Sequence, residues 1–258
     1  MAVARTGIAS LALVAMMLWR AVSLPPATLA GTPAAAEAPV PAITPPATAT
    51  LESVAVDVDA LIDAYGETTG LVALLGRWGV TYDRTAGPAC AQAEQAGLLC
   101  YFQRGTWSTL RQLDRPAVLT LTASNGTNRE VALIGLDAET AVIATDGEPV
   151  SLPVIVLSDY WFGQFMILWR PAIGIDEAIG PGMRGENVRW LRQSLATING
   201  LELPAGPNQD LFDTDLERQV TEFQRKHRLE SDGLAGQKTQ IIINTLLALE
   251  DRPRLSVN

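Results

Sequence analysis

The sequence predicts two folded parts in series, an α+β domain followed by an all-α domain of three helices. Between residues 51 and 172, helical spacing of apolar residues gives way to short β-branched runs bounded by turn residues. Between residues 173 and 258, three segments again place their apolar residues on one helical face. Helices followed by antiparallel strands form an α+β domain, and short linked helices form a compact bundle.

The first 50 residues predict export from the cytoplasm. An apolar run follows Arg5 and is interrupted once, at Arg20. Counted through that arginine, the run has about the 20 residues that a membrane span needs; counted only up to it, the run is a signal-peptide core with a cleavage site after Ala30. Residues 25–50 form a tether rich in Pro, Ala and Thr, without periodicity. We therefore expect residues 1–24 to be a membrane anchor or signal segment and the body of the protein to be periplasmic.

The charge of the chain argues against a nucleic-acid partner. The formal net charge is −9. No segment carries the basic surplus that neutralising the phosphates of a nucleic acid requires.

The chain has two cysteines, Cys90 and Cys100. In an oxidising compartment such a local pair favours a disulfide. Free buried thiols, or a cysteine nucleophile, are the alternatives. A metal site would need two further ligands that are not nearby, and the spacing is not that of a C-x-x-C redox pair.

In the first part, three segments predict helices by their apolar spacing: "SVAVDVDALIDAY", "TTGLVALLGRWGV" and "GTWSTLRQLDRP". Four apolar or β-branched runs then predict strands: "PAVLTLTAS", "REVALIGLD", "TAVIATDG" and "QFMILWRP". The first two runs are separated by Asn125-Gly126, which favours a hairpin turn.

In the second part, helices are predicted in "GENVRWLRQSLATING", "DTDLERQVTEFQRKH" and "GQKTQIIINTLLALE". Asp213 or Thr214 can cap the second of these, and Thr214 with Glu217 has the spacing of a capping box. Asp232-Gly233 is a turn in which the glycine can take a positive φ.

The second part resembles the peptidoglycan-binding-like domain that is appended to many bacterial cell-wall hydrolases. The residues that carry the resemblance are Gly185, Val188, Leu191, Leu195, Phe212, Asp213, Val220, Phe223, Gln224, Leu229, Asp232, Gly233, Gly236, Thr239 and Leu246. The sequence departs from the family at Arg192, where glutamine is usual. The resemblance implies peptidoglycan binding, and we expect ligand contacts from Arg189, Trp190, Arg192, Gln224 and Arg225.

His227 is the only histidine in the chain. It is in register with Val220 and Phe223 at the last turn of its predicted helix, where a half-buried ring, when protonated, would complement the negative helix end. Catalytic zinc needs three protein ligands, often including two histidines. We therefore expect a structural histidine, no metal and no cofactor.

The first part resembles the double-glycine, bacteriocin-processing cysteine peptidases, which have a papain-like fold. In that family a cysteine opens the first long helix, a histidine opens a strand, and an aspartate follows the next strand. Asp146 matches the aspartate, but Arg129 and Glu130 stand where the histidine belongs. The helix start offers threonines, Thr68 and Thr69, and no cysteine. The resemblance thus implies a degenerate peptidase domain, for which we assign no catalytic residue.

One enzymatic alternative remains open in that domain. Thr69 could act as a nucleophile with Glu130 or Asp146 as its base. A threonine at a helix start is more often a cap.

The combination of apolar segment, tether, degenerate peptidase domain and helical module resembles the periplasmic region of the general secretion pathway protein A family of type II secretion systems. The stretches that carry it include "GLLCYFQRGTWSTLRQLDRPAVLTL", "ALIGLD" and "GQFMILWRP". That family has a cytoplasmic ATPase before the membrane segment, whereas this sequence has no phosphate-binding loop. A separate ATPase subunit would supply that activity, or the protein is a passive anchor.

These observations predict a non-catalytic, membrane-tethered periplasmic protein that binds peptidoglycan and positions or helps assemble a secretin complex of type II secretion. Its expected partners are peptidoglycan, the inner membrane, and a type II secretion subunit or separate ATPase. The alternatives are a cell-wall hydrolase or peptidase that uses the helical module for targeting, and a protein–protein adaptor.

Overall fold

The computed structural model of the chain describes residues 56–172, 177–203, 206–247 and 252–256. The predicted membrane or signal segment, residues 1–24, and the tether, residues 25–50, lie outside these ranges. Within the ranges, no helix has the length and apolar character that crossing a bilayer would need.

A six-stranded antiparallel sheet is the centre of the first part. Its spatial order is β1-β6-β2-β3-β4-β5, so the first strand in the chain pairs with the last. The strands are β1 Leu99–Arg104, β2 Ala117–Thr122, β3 Asn128–Leu136, β4 Thr140–Ile143, β5 Val150–Pro153 and β6 Trp161–Trp169.

In the described part of the chain, five short helices accompany this sheet. They are α1 Val58–Ala64, α2 Thr69–Arg77, α3 Ala89–Gln95, α4 Trp107–Leu113 and α5 Val154–Leu157. Because successive strand residues point to opposite faces, β6 contributes to two cores. Met166 and Leu168 pack with residues of α2 and α3, whereas Phe165 and Ile167 join the larger core on the other face.

The predicted helices α1, α2 and α4 and the predicted strands β2, β3, β4 and β6 are confirmed. The Asn125-Gly126 hairpin turn is also confirmed, with Gly126 at φ +85° and the Ala123 N–H donating to the Thr127 carbonyl at 2.8 Å. Four elements were missed: α3, β1, β5 and α5. Strand β1 pairs with β6, far along the chain, so the order of strands in the sheet does not follow their order in the sequence.

The described residues of the second part form three helices, as predicted: α6 Glu186–Asn199, α7 Thr214–Lys226 and α8 Gln237–Leu246. Asp213 is the N-cap of α7, because its carboxylate accepts the Leu216 N–H at 2.9 Å. Thr214 is the first helical residue, so the predicted capping box of Thr214 and Glu217 is not formed.

The two parts share one hydrophobic core. The larger buried cluster runs from sheet residues such as Trp169 to helix residues such as Leu195 and Ile243. Chain contacts group everything from Ser53 onward as one compact unit. The predicted boundary near residue 172 therefore falls between β6 and α6, within that unit.

Polar contacts reinforce this shared core. The Thr245 hydroxyl of α8 donates to the Leu113 carbonyl at 3.1 Å and accepts from Arg115 at 2.7 Å.

At the carboxyl end, residues 252–256 form what we call the terminal strap. There the Leu136 N–H donates to the Leu255 carbonyl at 2.9 Å, and the Leu255 side chain is 1% exposed.

Candidate functional site

A groove of about 320 Å³ lies between the edge strand β1 and the loop that leads into α8. Strand β1 contributes Tyr101 and Gln103, and the remaining lining residues come from α7 and from the segment up to Thr239. We call it the β1–α8 groove. It combines a side from the sheet with a side from the helical module.

Gln224 of α7 fixes the shape of the helical side. Its side chain is 2% exposed. The amide nitrogen donates to the Asp232 carboxylate and the Leu234 carbonyl, each at 2.8 Å, and the amide oxygen accepts the Gly233 N–H at 3.0 Å. Such a fully bonded buried amide holds the loop in one conformation.

Gly233 is required at the turn that Gln224 holds. Its φ is +77°, which favours glycine, and an added Cβ would lie 3.2 Å from side-chain atoms of Glu217 and Thr221. The predicted Asp232-Gly233 turn is therefore confirmed.

The start of α8 gives the groove a positive end. Its N-cap is Gly236, which has no side chain to cap the helix, and its first turn has no acidic residue. Lys238 stands in that turn instead. A helix N-terminus carries partial positive charge, so a lysine there is unfavourable for the helix and adds to the attraction for an anion.

The sheet side of the groove offers neutral polar groups. The Gln103 amide nitrogen donates to the Tyr101 hydroxyl at 3.1 Å, and the Gln103 side chain is exposed. With Lys238 and the α8 N–H groups, the groove can bind carboxylates and peptide amides. The carboxylates Glu230 and Asp232 also line it, and they suit N–H or O–H donors of a ligand.

The five residues predicted to contact ligand do not converge. Gln224 lines the β1–α8 groove, Trp190 lines a different cavity, and Arg225 lies along a shallow depression on α7. Exposed Arg189 pairs with Glu186, whose hydrogen bond raises the pKa of the guanidinium. Their contact with ligand stays a prediction.

Arg192 serves the interior of the helical module. It is 5% exposed, pairs with the Asp213 carboxylate at 3.0 Å and donates to the Leu211 carbonyl at 2.7 Å. It thereby ties α6 to the N-terminus of α7. The departure from the family's glutamine is accommodated as an ion pair between the buried Arg192 and the partly exposed Asp213.

Sequence reasoning did not assign Tyr101, Gln103 or Lys238 of the groove to the site. Lys238 did carry a signal, because a lysine in the first turn of an acid-free helix start opposes the helix dipole. The other two could not be assigned, since β1 was not recognised as a strand.

Two residues that the sequence placed at the peptidase-like position also lie close together. The Thr69 hydroxyl at the start of α2 donates to the Asp146 carboxylate at 3.3 Å. Thr68, the N-cap residue, makes no side-chain cap bond and instead accepts from Arg84. A methyl group at Gly70 would lie 2.2 Å from the Glu130 carbonyl oxygen, so α2 contacts β3 closely.

Neither cysteine is at that position. Cys90 and Cys100 form the predicted disulfide, which links α3 to β1. Within the described ranges, no group of three or more His, Cys, Asp or Glu side chains is placed to hold a metal ion.

His227 follows the last residue of α7 as its C-cap. Its ring lies 4.5 Å from that of Phe223, and its Nε2 is buried without a partner among the described residues. Burial, and secondarily the charge of Lys226, lower the pKa of His227. This favours the neutral imidazole over what an exposed histidine would show, and the contribution of a protonated ring at the helix end stays a prediction.

Fold and groove together define an antiparallel-sheet domain that carries a three-helix module and shares a polar groove with it. Residues 184–243 match the family described as "Putative peptidoglycan binding domain". Over 166 residues the chain is 30% identical to general secretion pathway protein A of Aeromonas hydrophila, covering 64% of this chain and 30% of that protein. The sequence-based resemblance to that family is thereby confirmed. The chain spans about a third of the length of the curated relatives it matches.

Solved structures are similar over parts of the chain. A periplasmic domain of the EpsAB fusion protein of the Vibrio vulnificus type II secretion system is 28% identical, with a TM-score of 0.49, covering 74% of this chain and 83% of that one. The peptidase domain of Streptococcus ComA is 11% identical, with a TM-score of 0.35, covering 40% of this chain and 92% of that one.

Proposed function

We propose that this protein is a non-catalytic, membrane-tethered periplasmic protein that binds peptidoglycan and positions or helps assemble a type II secretin complex at the cell wall. The proposed partners are peptidoglycan, the inner membrane, and a type II secretion subunit or a separate ATPase. The observation that carries the proposal is the match of residues 184–243 to the peptidoglycan-binding family.

The β1–α8 groove is where we place peptidoglycan. Most of its lining comes from within the matched residues, and its groups suit the peptide part of the cell wall, which offers carboxylates and amides. The net charge of −9 gives no general attraction for an acidic polymer. Binding therefore depends on local positive potential from Lys238 and the α8 N-terminus.

Binding at one such open groove is weak, and clustering strengthens it. A secretin-associated assembly would hold several copies close to one cell-wall polymer. Effective concentration then raises the overall affinity without new contacts.

The two lysines of the chain provide a matched test. Lys238→Ala removes the positive side chain from the groove, and Lys226→Ala removes one from the far end of α7. We expect Lys238→Ala to weaken co-sedimentation of the full chain with purified sacculi by roughly two- to fivefold. Lys226→Ala should sediment like the unaltered chain. Equal binding by all three proteins would remove the groove from the proposal.

A second pair of variants tests the sheet side. Gln103→Ala should weaken sedimentation, because the exposed amide can bond peptide groups. Gln219→Ala, which removes an exposed amide on α7 that bonds Asp215, should not. Binding that depends on Lys238 but not on Gln103 would confine the site to the helical module.

One observation favours the alternative of a cell-wall hydrolase or peptidase. The Thr69 hydroxyl and the Asp146 carboxylate are within hydrogen-bonding distance at the position where the related peptidases react. Release of soluble fragments from sacculi by the full chain, abolished by Thr69→Ala, would establish that alternative. Undigested sacculi with bound protein are expected on the leading proposal.

A further inference from the structure

A second cavity, of about 430 Å³, lies where the end of β6 meets α8. We call it the junction cavity. It shares no lining residue with the β1–α8 groove. Its volume falls within the range of roughly 300–1,000 Å³ that is typical of small-molecule sites.

The junction cavity is lined by three arginines: Arg115, Arg170 and Arg252. No aspartate or glutamate is among the described residues that line it. From outside that lining, the Asp114 carboxylate lies 3.5 Å from the Arg252 guanidinium. The described lining therefore carries three basic side chains, of which Arg252 is paired with this carboxylate.

Arg115 is the most deeply buried of these three guanidinium groups. It is 2% exposed, and one amino nitrogen donates to two neutral oxygens, the Leu113 carbonyl at 2.8 Å and the Thr245 hydroxyl at 2.7 Å. Burial, and then the positive charge of Arg252, lower the pKa of Arg115 to about 9, although the nearby Asp114 carboxylate acts in the opposite direction. A buried cation is costly unless it is paired, so a bound anion would stabilise this one.

Four lining residues carry a buried polar atom that has no partner in the described protein. Three are donors: Trp78 Nε1, Arg115 Nε and Arg252 Nε. The fourth is an acceptor, Asn244 Oδ1, whose amide nitrogen already donates to the Arg170 carbonyl at 3.0 Å. Buried polar groups are nearly always satisfied, by protein, water or ligand.

The three buried donors lie beside arginine side chains, so they favour a ligand with anionic oxygens. The one buried acceptor, Asn244 Oδ1, favours a ligand that has an N–H group close to those oxygens. Inorganic anions such as sulfate supply oxygens but no N–H. The indole of Trp190 with Pro171 and Leu247 adds an apolar surface for a small side chain.

We propose that the junction cavity binds the carboxylate end of a short peptide or N-acylated amino acid. The carboxylate lies toward Arg115 and Arg252, the adjacent peptide N–H toward Asn244, and the side chain between the apolar residues. The site is separate from the groove assigned to peptidoglycan and does not depend on that assignment.

The probe is N-acetyl-dialanine, in its L,L and D,D forms, titrated against the full chain by calorimetry and by tryptophan fluorescence. We expect saturable binding of a free acid and at least roughly tenfold weaker binding of the corresponding amide, because the charge-assisted bonds are lost. A preference for the D,D form identifies cell-wall peptide as the source, and a preference for the L,L form identifies a protein terminus. Equal binding of acid and amide, or no binding, overturns the proposal.

Variants locate the bound peptide. Trp78→Phe keeps an aromatic ring but removes the N–H, and should weaken binding roughly fivefold. Asn244→Asp places a carboxylate beside the arginines and should weaken it at least roughly tenfold. Thermal unfolding of each variant establishes that it is folded.

Two controls complete the test. Trp107→Phe alters an indole that bonds Ser158 at 2.8 Å, outside the cavity, and should leave peptide affinity unchanged. Lys238→Ala, in the β1–α8 groove, should also leave it unchanged, so the two proposals fail separately. Peptide affinity that is unaffected by Trp78→Phe and Asn244→Asp overturns the assignment to this cavity.

Discussion

At the scale of single residues, Gln224 shows how a ligand-contact prediction can point to a residue that supports the site. Its amide was expected to contact peptidoglycan. In the structure it bonds the Asp232-Gly233 turn and the Leu234 carbonyl, so its polar atoms are used within the protein. It thereby fixes the conformation of the loop that lines the groove.

Gln224→Ala should therefore reduce stability before it alters ligand chemistry. Removing one partner leaves a buried N–H and carbonyl unsatisfied, and we expect a loss of about 2–3 kcal/mol in the free energy of unfolding. Urea denaturation measures it, with Gln219→Ala on the exposed side of α7 as the control. A loss no larger than that of the control would mean that the network is weak.

His227 predicts a pH dependence at the same scale. Its pKa is lowered in the folded state, so the unfolded state binds the proton more readily. Its contribution to stability is present above the unfolded pKa of about 6.5 and is lost as the pH falls through the folded pKa. Between about pH 7.5 and pH 5.5, the unaltered chain should lose more unfolding free energy than His227→Phe does. Equal losses would show that burial does not perturb this imidazole.

At the scale of elements, the disulfide joins α3 to β1, two neighbouring elements that sequence reasoning missed. The bond closes a loop across a sequence separation of 10. On the chain-entropy model, the double change Cys90→Ala with Cys100→Ala should lower stability by about 3 kcal/mol. Denaturation with and without reductant checks this: reductant should destabilise the unaltered chain and have no effect on the double variant.

The elements that could be predicted are those whose local sequence shows the periodic apolar spacing of a helix or the β-branched run of a strand. Helices α6 and α7 bury one face, so their apolar spacing is visible without the fold. Strand β1 buries only Tyr101 fully and ends in exposed residues, so no alternation marks it. It forms because it pairs with β6, which is distant in the sequence. Since β1 was not predicted, the sheet side of the groove was not predicted either.

At the scale of the whole molecule, the shared core joins what the sequence divided into two domains. The division rested on a change of sequence pattern near residue 172, from short β-branched runs to helical spacing of apolar residues. This change correctly marks where strands end and helices begin. Such patterns carry no information on how the two parts pack against each other. The contacts of Thr245 with Leu113 and Arg115, and the terminal strap, are made by residues that sequence patterns give no reason to pair.

Leu255→Ala tests this coupling. The side chain is 1% exposed in the strap beside β3, and its truncation should cost about 2–4 kcal/mol. The matched change Leu246→Ala, at a residue 43% exposed at the end of α8, should cost less than about 1 kcal/mol. Calorimetry should show one cooperative transition in each protein, shifted to lower temperature in Leu255→Ala. Two separated transitions would mean that sheet and helices unfold independently.

The terminal strap has a mechanical consequence. Leu255 is anchored to β3, and Asp114 at the end of α4 accepts the backbone N–H groups of Leu255 at 3.2 Å and Ser256 at 2.9 Å. These contacts would therefore transmit tension on a polymer bound near α8 to the sheet. The helical module and the sheet would then move as one rigid body under load.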